Sequence, residues 1–428
     1  MLSEKTVRTY TQILKSELVP AMGCTEPIAI AYAASVMRDA LGALPESLEL
    51  ALSGNIIKNV KSVIVPATGG MHGIAAAAAA GIIAAAPQRR LEVLCELSEN
   101  DRAAISEFLG SADIKISELE TELAFELDIL GFADGHTARV HVAERHTNIT
   151  SVTYDGNDIT ESYNDGGAET PQYDAERELL NVKDIVEFAD TVDISELYPY
   201  IKRQIDLNLA IAKEGLTGKY GAAIGATILG AGDVSLRDRA KAYAAAGSDA
   251  RMSGCELPVC IISGSGNQGM TASLPVIIYA KALDADEEKL VRAMIVSDLI
   301  TVHQKTGIGC LSAYCGAISA GCGCGCGIAY LTGGGYYEIA HTLVNSVAIL
   351  SGTICDGAKP SCAAKIAMAV EAGILGYEMM RSGHQFYGGD GIITKGVENT
   401  IKNIGKLARD GMSGTDREII RIMLEKES

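Results

Sequence analysis

The pattern of apolar residues changes twice along this 428-residue chain, and this change constrains the fold most strongly. Residues 1–88 carry apolar side chains at helical spacing, residues 89–160 alternate as strands do, and residues 182–428 return to helical or glycine-rich sequence. The acidic stretch 161–181 is typical of a linker. The sequence therefore predicts an α+β protein, in which both chain ends build a large, mostly α-helical, Gly/Ala-rich domain with a small α/β domain inserted.

The predicted α/β domain consists of short alternating segments. Its helix is expected over Asp101–Leu109, and Asp155-Gly156 favours a tight hairpin turn. Since this segment interrupts the helical pattern, the parts of the chain on either side of it are expected to pack together. The predicted strands are Leu91–Leu97, Ile114–Leu119, Leu123–Ile129, Thr137–Arg145 and Asn148–Tyr154.

Charge and composition argue against several classes of protein. The formal net charge is -18 and no basic stripe is present, which argues against a nucleic-acid partner. The charged, amphipathic N-terminus does not resemble a secretory leader. The apolar stretch Met71–Ala86 is too short to span a membrane, and Cys310–Leu331 is dominated by Gly, Ser and Cys. We expect a cytoplasmic protein without a membrane partner, and a homo-oligomer is compatible with this sequence.

The eleven cysteines are expected to be mostly reduced, and seven of them fall between residues 310 and 362. This crowding favours metal or cluster chemistry over simple core packing. Cys24 lies in GCTEP at 23–27, where Pro27 suits the first turn of a helix with Thr25 or Glu26 as its cap. The helix dipole would favour a thiolate there, which makes a ligand or nucleophile as reasonable as a buried core cysteine.

Two further segments carry the remaining cysteines of interest. Cys355 lies in a polar loop beside Asp356 and Lys359, which makes it the strongest ligand candidate on local grounds. The segment 311–331 reads LSAYCGAISAGCGCGCGIAYL, in which each of five glycines costs a helix about 1 kcal/mol relative to Ala. A helix here needs intimate packing to survive; otherwise the segment breaks into a loop. Its cysteine spacing matches neither a tetrahedral zinc pair nor a ferredoxin motif.

The segment Gly264–Gly269 (GSGNQG) formally fits the dinucleotide-binding fingerprint and follows an apolar run. However, Pro275 falls early in the helix that should follow, and no βαβ pattern surrounds the motif. We interpret it instead as a tight loop whose amides, with Ser265 and Asn267, bind a small carboxylate.

Taken together, these motifs resemble the L-cysteine desulfidase family, which is related to the α-chain of bacterial iron–sulfur L-serine dehydratases. The resemblance runs nearly from end to end of the chain. It rests on GCTEP at 23–27, GNIIKNV at 54–60, GSDARMSG through SGSGNQG at 247–269, LSAYCG at 311–316, ICDGAKPSC at 354–362 and GGDGIITKGVENTIKNIG at 388–405.

The resemblance implies a lyase that is independent of PLP and carries an oxygen-labile [4Fe-4S] cluster held by three cysteines, with one iron open to substrate. Through its place in GCTEP, Cys24 is implied as one ligand of the cluster, and through its place in ICDGAK, Cys355 is implied as another. Cys315 in LSAYCG matches best as the third ligand, with Cys322 as the alternative. Cys324, Cys326 and Cys362 are additional to this set.

The implied reaction is β-elimination from L-cysteine to pyruvate, ammonia and hydrogen sulfide, or dehydration of L-serine. It needs a Lewis acid at the leaving group and a base at Cα. The candidate bases are Glu26, Lys359 and His303, in that order, with His72 a further candidate. Candidate substrate-binding residues are Thr25, Ser265, Asn267 and Gln268. We interpret His136, His141 and His146 as surface or core residues of the α/β domain.

Two functions from other classes stay open at this point. The glycine-rich motif alone would suit a dinucleotide-dependent oxidoreductase, which would bind NADH tightly. A protein that keeps the fold without a cluster would bind an amino acid without turning it over. A brown, oxygen-sensitive preparation absorbing near 400 nm would favour the iron–sulfur lyase over both.

Overall fold

The computed structural model describes residues 1–163, 176–309 and 311–425 as helices, strands and connecting loops. Its α-helices are α1 Glu4–Glu17, α2 Thr25–Leu41, α3 Gly54–Val60, α4 Ile74–Ala84, α5 Glu99–Ser111, α6 Val182–Thr191, α7 Tyr198–Gly215, α8 Ile224–Leu229, α9 Leu236–Met252, α10 Gly266–Ala282, α11 Glu287–Ile308, α12 Gly316–Leu331, α13 Tyr336–Leu350, α14 Cys362–Arg381, α15 Val397–Lys406 and α16 Ser413–Glu425.

The strands form one six-stranded and one two-stranded sheet within these ranges. The larger sheet has the order β3-β2-β4-β5-β6-β7, with β2 parallel to β3 and the other neighbours antiparallel. The predicted α+β class, mostly helical with a small mixed sheet, is confirmed. The strands are β1 Val19–Met22, β2 Ser47–Leu52, β3 Asp113–Glu118, β4 Glu126–Ala133, β5 His136–Ala143, β6 Ile149–Tyr154, β7 Asn157–Asp158 and β8 Pro258–Ile261.

The sheet departs from the sequence prediction at two places. The strand predicted over Leu91–Leu97 is wrong, because a 3-10 helix at Pro87–Glu92 and turns occupy this stretch. Conversely, β2 comes from before residue 89 and buries Leu48, Leu50 and Leu52 on one face. The hairpin turn at Asp155-Gly156 is present between β6 and β7, and residues 164–175 of the predicted linker lie outside the described part of the chain.

Helix α2 packs across β4, β5 and β6 and against α4, so it joins the sheet to the helical part of the protein. Gly131 in β4 allows this contact, since a Cβ there would lie 2.2 Å from Met37 Sδ. The Ala-rich helix α4 approaches α2 equally closely, because a Cβ on Gly81 would meet the Ala31 carbonyl oxygen at 1.9 Å. Small residues therefore set the interhelical distance here.

The glycine- and cysteine-rich segment forms the continuous helix α12, so the intimate-packing alternative is the one realised. Gly321 and Gly325 face α14, where a Cβ would meet backbone carbonyl oxygens at 2.3 and 2.4 Å. Gly323 and Gly327 face α11, where a Cβ would meet carbonyl oxygens at 2.6 and 3.0 Å. The helix survives its low propensity because tertiary packing on both sides compensates for it.

The small sheet joins the N-terminal part of the chain to its middle, because β1 pairs antiparallel with β8, Ala21 opposite Val259. This pairing holds the loop before α2 next to the loop before α10. It thereby brings residues 23–26 beside residues 263–268, although about 240 residues separate them. No helix in the described ranges has both the length and the apolar character that crossing a membrane requires.

Candidate active site

A cavity of about 100 Å³ lies where the N-termini of four helices converge. Helices α2, α10, α12 and α14 each present first-turn or capping residues to it, among them Glu26, Asn267, Gly316 and Lys365. The end of α9 contributes Arg251. Because unpaired amide groups and the helix dipole give each N-terminus a partial positive charge, this convergence suits an anionic group.

Of the cysteines that the structure describes, four line this cavity. Cys24 is the N-cap of α2 and Cys315 the N-cap of α12, and neither side chain makes a capping hydrogen bond. Cys355 lies in the loop before α14, and Cys362 begins that helix. The cap of α2 is thus Cys24 itself, and not Thr25 or Glu26 as predicted.

A short antiparallel contact holds two of the cysteines next to each other. The Cys315 N–H donates to the Thr353 carbonyl at 3.0 Å, and the Cys355 N–H donates to the Ala313 carbonyl at 2.6 Å. These bonds flank the bridge between Tyr314 and Ile354. The backbone therefore fixes the relative positions of the two side chains.

Burial raises the pKa of two of the cysteine thiols at this cavity, those of Cys24 and Cys315. Burial raises the pKa of Cys24 to about 12, against the smaller opposing effect of Arg251. Burial also raises the pKa of Cys315 to about 12, and the neighbouring Cys355 adds to the effect. In the metal-free chain burial favours the protonated thiol and opposes the thiolate that the helix dipole would favour at the N-terminus of α2. A metal centre would have to displace these protons.

The cysteine side chains at this cavity are the donor type that iron–sulfur clusters use. Among the described residues, no group of three or more His, Cys, Asp or Glu side chains is arranged to hold one metal ion. Cysteines spread around one cavity instead suit a cluster, whose ligands bind separate metal atoms. The cationic side chains of Lys58, Arg251, Lys305 and Lys365 line the same cavity and would offset the negative charge of thiolates.

Several buried polar atoms at this cavity lack a partner among the described residues. An unsatisfied buried group costs about 1–3 kcal/mol, so a cluster of them indicates a site for a polar ligand. The unpartnered atoms are Asn59 Oδ1, His146 Nε2, Ser263 Oγ, Asn267 Oδ1 and Gln268 Oε1. Ser265, the N-cap of α10, lines the cavity beside them without a side-chain capping bond.

Glu26 is the one of the three leading candidate bases that lines the cavity. Its Oε1 accepts a hydrogen bond from Asn59 Nδ2 at 3.0 Å, and its Oε2 lies 3.1 Å from Thr25 Oγ1. Thr25 itself is buried behind the lining, and its hydroxyl lies 2.8 Å from the Gly264 carbonyl oxygen. This places Thr25 as a support for Glu26 and the 264 loop.

The other candidate bases lie away from the cavity lining. His303 pairs with Glu398 at 2.7 Å, between α11 and α15. Lys359 pairs with Asp356, and burial lowers its pKa. His72 contacts the Gly70 carbonyl oxygen on the surface. None of the three side chains lines the cavity, and each is engaged by its own ion pair or hydrogen bond, although Lys359 lies close enough to Cys355 and Cys362 to interact with them electrostatically.

The comparisons with known proteins agree with this site. The model of the serine dehydratase alpha chain family matches residues 88–421, which include the 263–268 loop, Cys315 and Cys355. The chain belongs to the serine dehydratase alpha chain family. This membership supports a lyase-type enzyme of amino-acid catabolism. Cys24, Glu26, Lys58 and Asn59 precede the matched segment and complete the cavity.

Relatives that match nearly all of this chain are proteins named UPF0597. One from Desulfitobacterium hafniense is 54% identical over 420 residues, covering 98% of this chain and 97% of its own length. Another from Lachnoclostridium phytofermentans is 46% identical over 413 residues, covering 96% and 98%. A third from Treponema denticola is 44% identical over 425 residues, covering 97% of each chain.

Several residues that line the site could not be found from the sequence of this family member. The sequence predicts His146 as a surface or core residue, but it lines the cavity. His136 and His141 instead pair with Asp155 and Glu126. Asn59, Arg251 and Lys305 were not considered; the first two lie in motifs that carried the resemblance. Cys322 is buried within α12 and does not line the cavity, whereas Cys315 does.

Proposed function

We propose that this protein is a PLP-independent iron–sulfur lyase that eliminates hydrogen sulfide from L-cysteine, giving pyruvate and ammonia. L-serine, with water as the leaving group, is the alternative substrate. The observation that carries the proposal is one small cavity on which Cys24, Cys315 and Cys355 meet unpartnered polar groups at converging helix N-termini. Membership of the serine dehydratase alpha chain family supports the lyase class.

In this proposal Cys24, Cys315 and Cys355 hold a [4Fe-4S] cluster. When bound, such a cluster would supply a Lewis acid for the leaving sulfur or oxygen. Three cysteine ligands leave one of four irons without a protein ligand. Cys362 lines the cavity as well but lies outside the proposed ligand set.

The substrate carboxylate would bind at the start of α10. Ser265, Asn267 and Gln268 line the cavity there, and the helix N-terminus favours a negative group. Glu26 supplies the opposite charge, and its carboxylate is fixed by Asn59 and Thr25. A carboxylate at one side and cations at the other match the charges of an amino-acid zwitterion.

The strand topology around the glycine-rich loop disfavours the dinucleotide alternative. Among the described residues β8 pairs only with β1, antiparallel, so the glycine-rich loop does not lie in a βαβ unit.

The test is anaerobic reconstitution with iron and sulfide, followed by assays for pyruvate and sulfide with cysteine and for pyruvate with serine. We expect absorbance near 400 nm and turnover of at least one of the two amino acids. Cys24→Ala and Cys355→Ala should lose bound iron and activity together. Cys95→Ala is the matched control, because Cys95 is exposed and does not line the cavity. An iron-replete protein that binds cysteine without turnover would instead be an amino-acid-binding protein.

A further inference from the structure

His146 reaches the cavity from the larger sheet, at the turn between β5 and β6. Several hydrogen bonds hold the turn, among them one from the Glu144 N–H to the Phe125 carbonyl at 2.8 Å and one from Asn148 Nδ2 to the Ala143 carbonyl at 2.9 Å. The imidazole packs on the buried ring of Phe125, with centroids 4.7 Å apart. The sheet therefore presents this ring in a fixed position.

The helical part of the protein leaves room for this ring. Gly264 has φ +73°, and a Cβ there would lie 3.0 Å from His146 Cε1. Both the backbone conformation and the contact therefore favour glycine at this position. His146 Nε2 is enclosed and has no hydrogen-bond partner among the described residues. A buried, unpartnered imidazole nitrogen at a cavity is the arrangement that a proton acceptor requires.

We propose that His146 is the catalytic base that removes the Cα proton of the substrate. This inference rests on the lyase function proposed above. It assigns proton removal to a residue at a turn of the larger sheet, whereas the cysteines lie on the helical part. Completion of the active site then depends on the packing of the two parts against each other.

With cysteine as substrate, the Nε2 lone pair takes the Cα proton, and the electron pair of the C–H bond forms the Cα=Cβ double bond. The Cβ–S bond breaks with its electron pair on sulfur, which leaves as hydrosulfide. The remaining 2-aminoacrylate tautomerises to the imine, and water hydrolyses the imine to pyruvate and ammonia. With serine, oxygen leaves in place of sulfur.

Electrostatics and access both suit this role. Burial lowers the pKa of His146, so the ring is neutral near pH 7 and can accept a proton. The charged groups facing it are Glu26, which raises its pKa, and Arg251, which lowers it, with Lys305 on the same lining. His146 also lines a second cavity of about 800 Å³, whose exposed side chains include Arg90 and Glu144. This cavity gives the proton a path to solvent after each turnover.

Glu26 is less suited to proton abstraction than His146. Its oxygens already interact with Asn59 and Thr25, which stabilise the carboxylate in one position. A fixed, hydrogen-bonded carboxylate suits binding of the substrate ammonium group. Proton abstraction requires an acceptor atom that is not engaged, which His146 Nε2 provides.

The experiment uses the reconstituted full-length protein with His146→Asn and His146→Ala, and His136→Asn as the control on the same sheet. General-base removal costs about 10²–10⁴-fold in kcat. We expect such a loss in both His146 variants, with the 400 nm absorbance unchanged. The kinetic isotope effect with α-deuterated substrate should increase in His146→Asn, because C–H cleavage becomes rate-limiting. Added imidazole should partly restore His146→Ala, since the larger cavity admits it.

Three outcomes would overturn the assignment. The first is wild-type kcat in His146→Asn. The second is a lower kcat with neither a larger isotope effect nor imidazole rescue, which is the signature of a structural role. The third is loss of the cluster in both variants. A wild-type protein that loads iron but turns over neither amino acid would refute the lyase function itself, and is thereby distinguishable from failure at His146 alone.

Discussion

Removal of Asp416 should destabilise the protein strongly, because it leaves a buried lysine without its counterion. Lys58 on α3 donates from Nζ to Asp416 Oδ1 on α16 at 2.5 Å. The Lys58 side chain is only 1% exposed and that of Asp416 12%. Breaking such a buried pair from one side costs about 3–5 kcal/mol, since the remaining charge stays desolvated. We expect that loss for Asp416→Ala.

The same helix offers a matched control. Glu418 pairs with Arg421 at 2.5 Å, but both side chains are more than half exposed. A solvent-exposed pair of this kind contributes little to stability. Glu418→Ala should therefore leave the unfolding midpoint almost unchanged, although it also removes a carboxylate from α16.

Urea unfolding followed by circular dichroism measures the difference between the two variants. The double variant Lys58→Met, Asp416→Leu should recover most of the loss, because it removes both charges and keeps apolar volume. Equal destabilisation by Asp416→Ala and Glu418→Ala would refute the reasoning. So would a double variant as unstable as Asp416→Ala, since the loss would then come from the packing of α16 and not from the charge.

Three further predictions concern the site and the core. Asn267→Ala should raise KM by roughly ten- to hundred-fold, the value of a lost hydrogen bond to a carboxylate, while exposed Asn399→Ala should leave KM unchanged. Cys315→Ala should lose iron and Cys322→Ala retain it; the reverse would make Cys322 the third ligand. Burial raises the pKa of the Asp298 carboxyl to about 8, because the folded protein favours its protonated form. The contribution of this group to folding stability is therefore complete below about pH 4 and is lost as the pH rises to about 8. Asp298→Asn should flatten this decline in melting temperature; an unchanged slope would contradict the assigned pKa.

The helices and most strands could be predicted from local sequence, because their periodicity and turn residues are local properties. Helix α1 and the hairpin turn at Asp155-Gly156 are examples. The strand predicted over 91–97 is wrong because the alternation there is ambiguous, and Pro87 begins a 3-10 helix that runs into this stretch. Helix α12 could not be decided from sequence, since only the backbones of α11 and α14 stabilise a helix with five glycines.

The cysteine motifs identified Cys24, Cys315 and Cys355 from sequence, with Cys322 as an alternative. Only the tertiary structure brings the first three to one cavity, through the pairing of β1 with β8 and the contact between Tyr314 and Ile354. The same holds for His146, whose local sequence carries no signal of function. A side chain at a turn acquires a role only from what packs opposite it, here Gly264 and the helix N-termini. The sequence thus determined the elements and the chemical groups, and long-range packing decided which groups share a site.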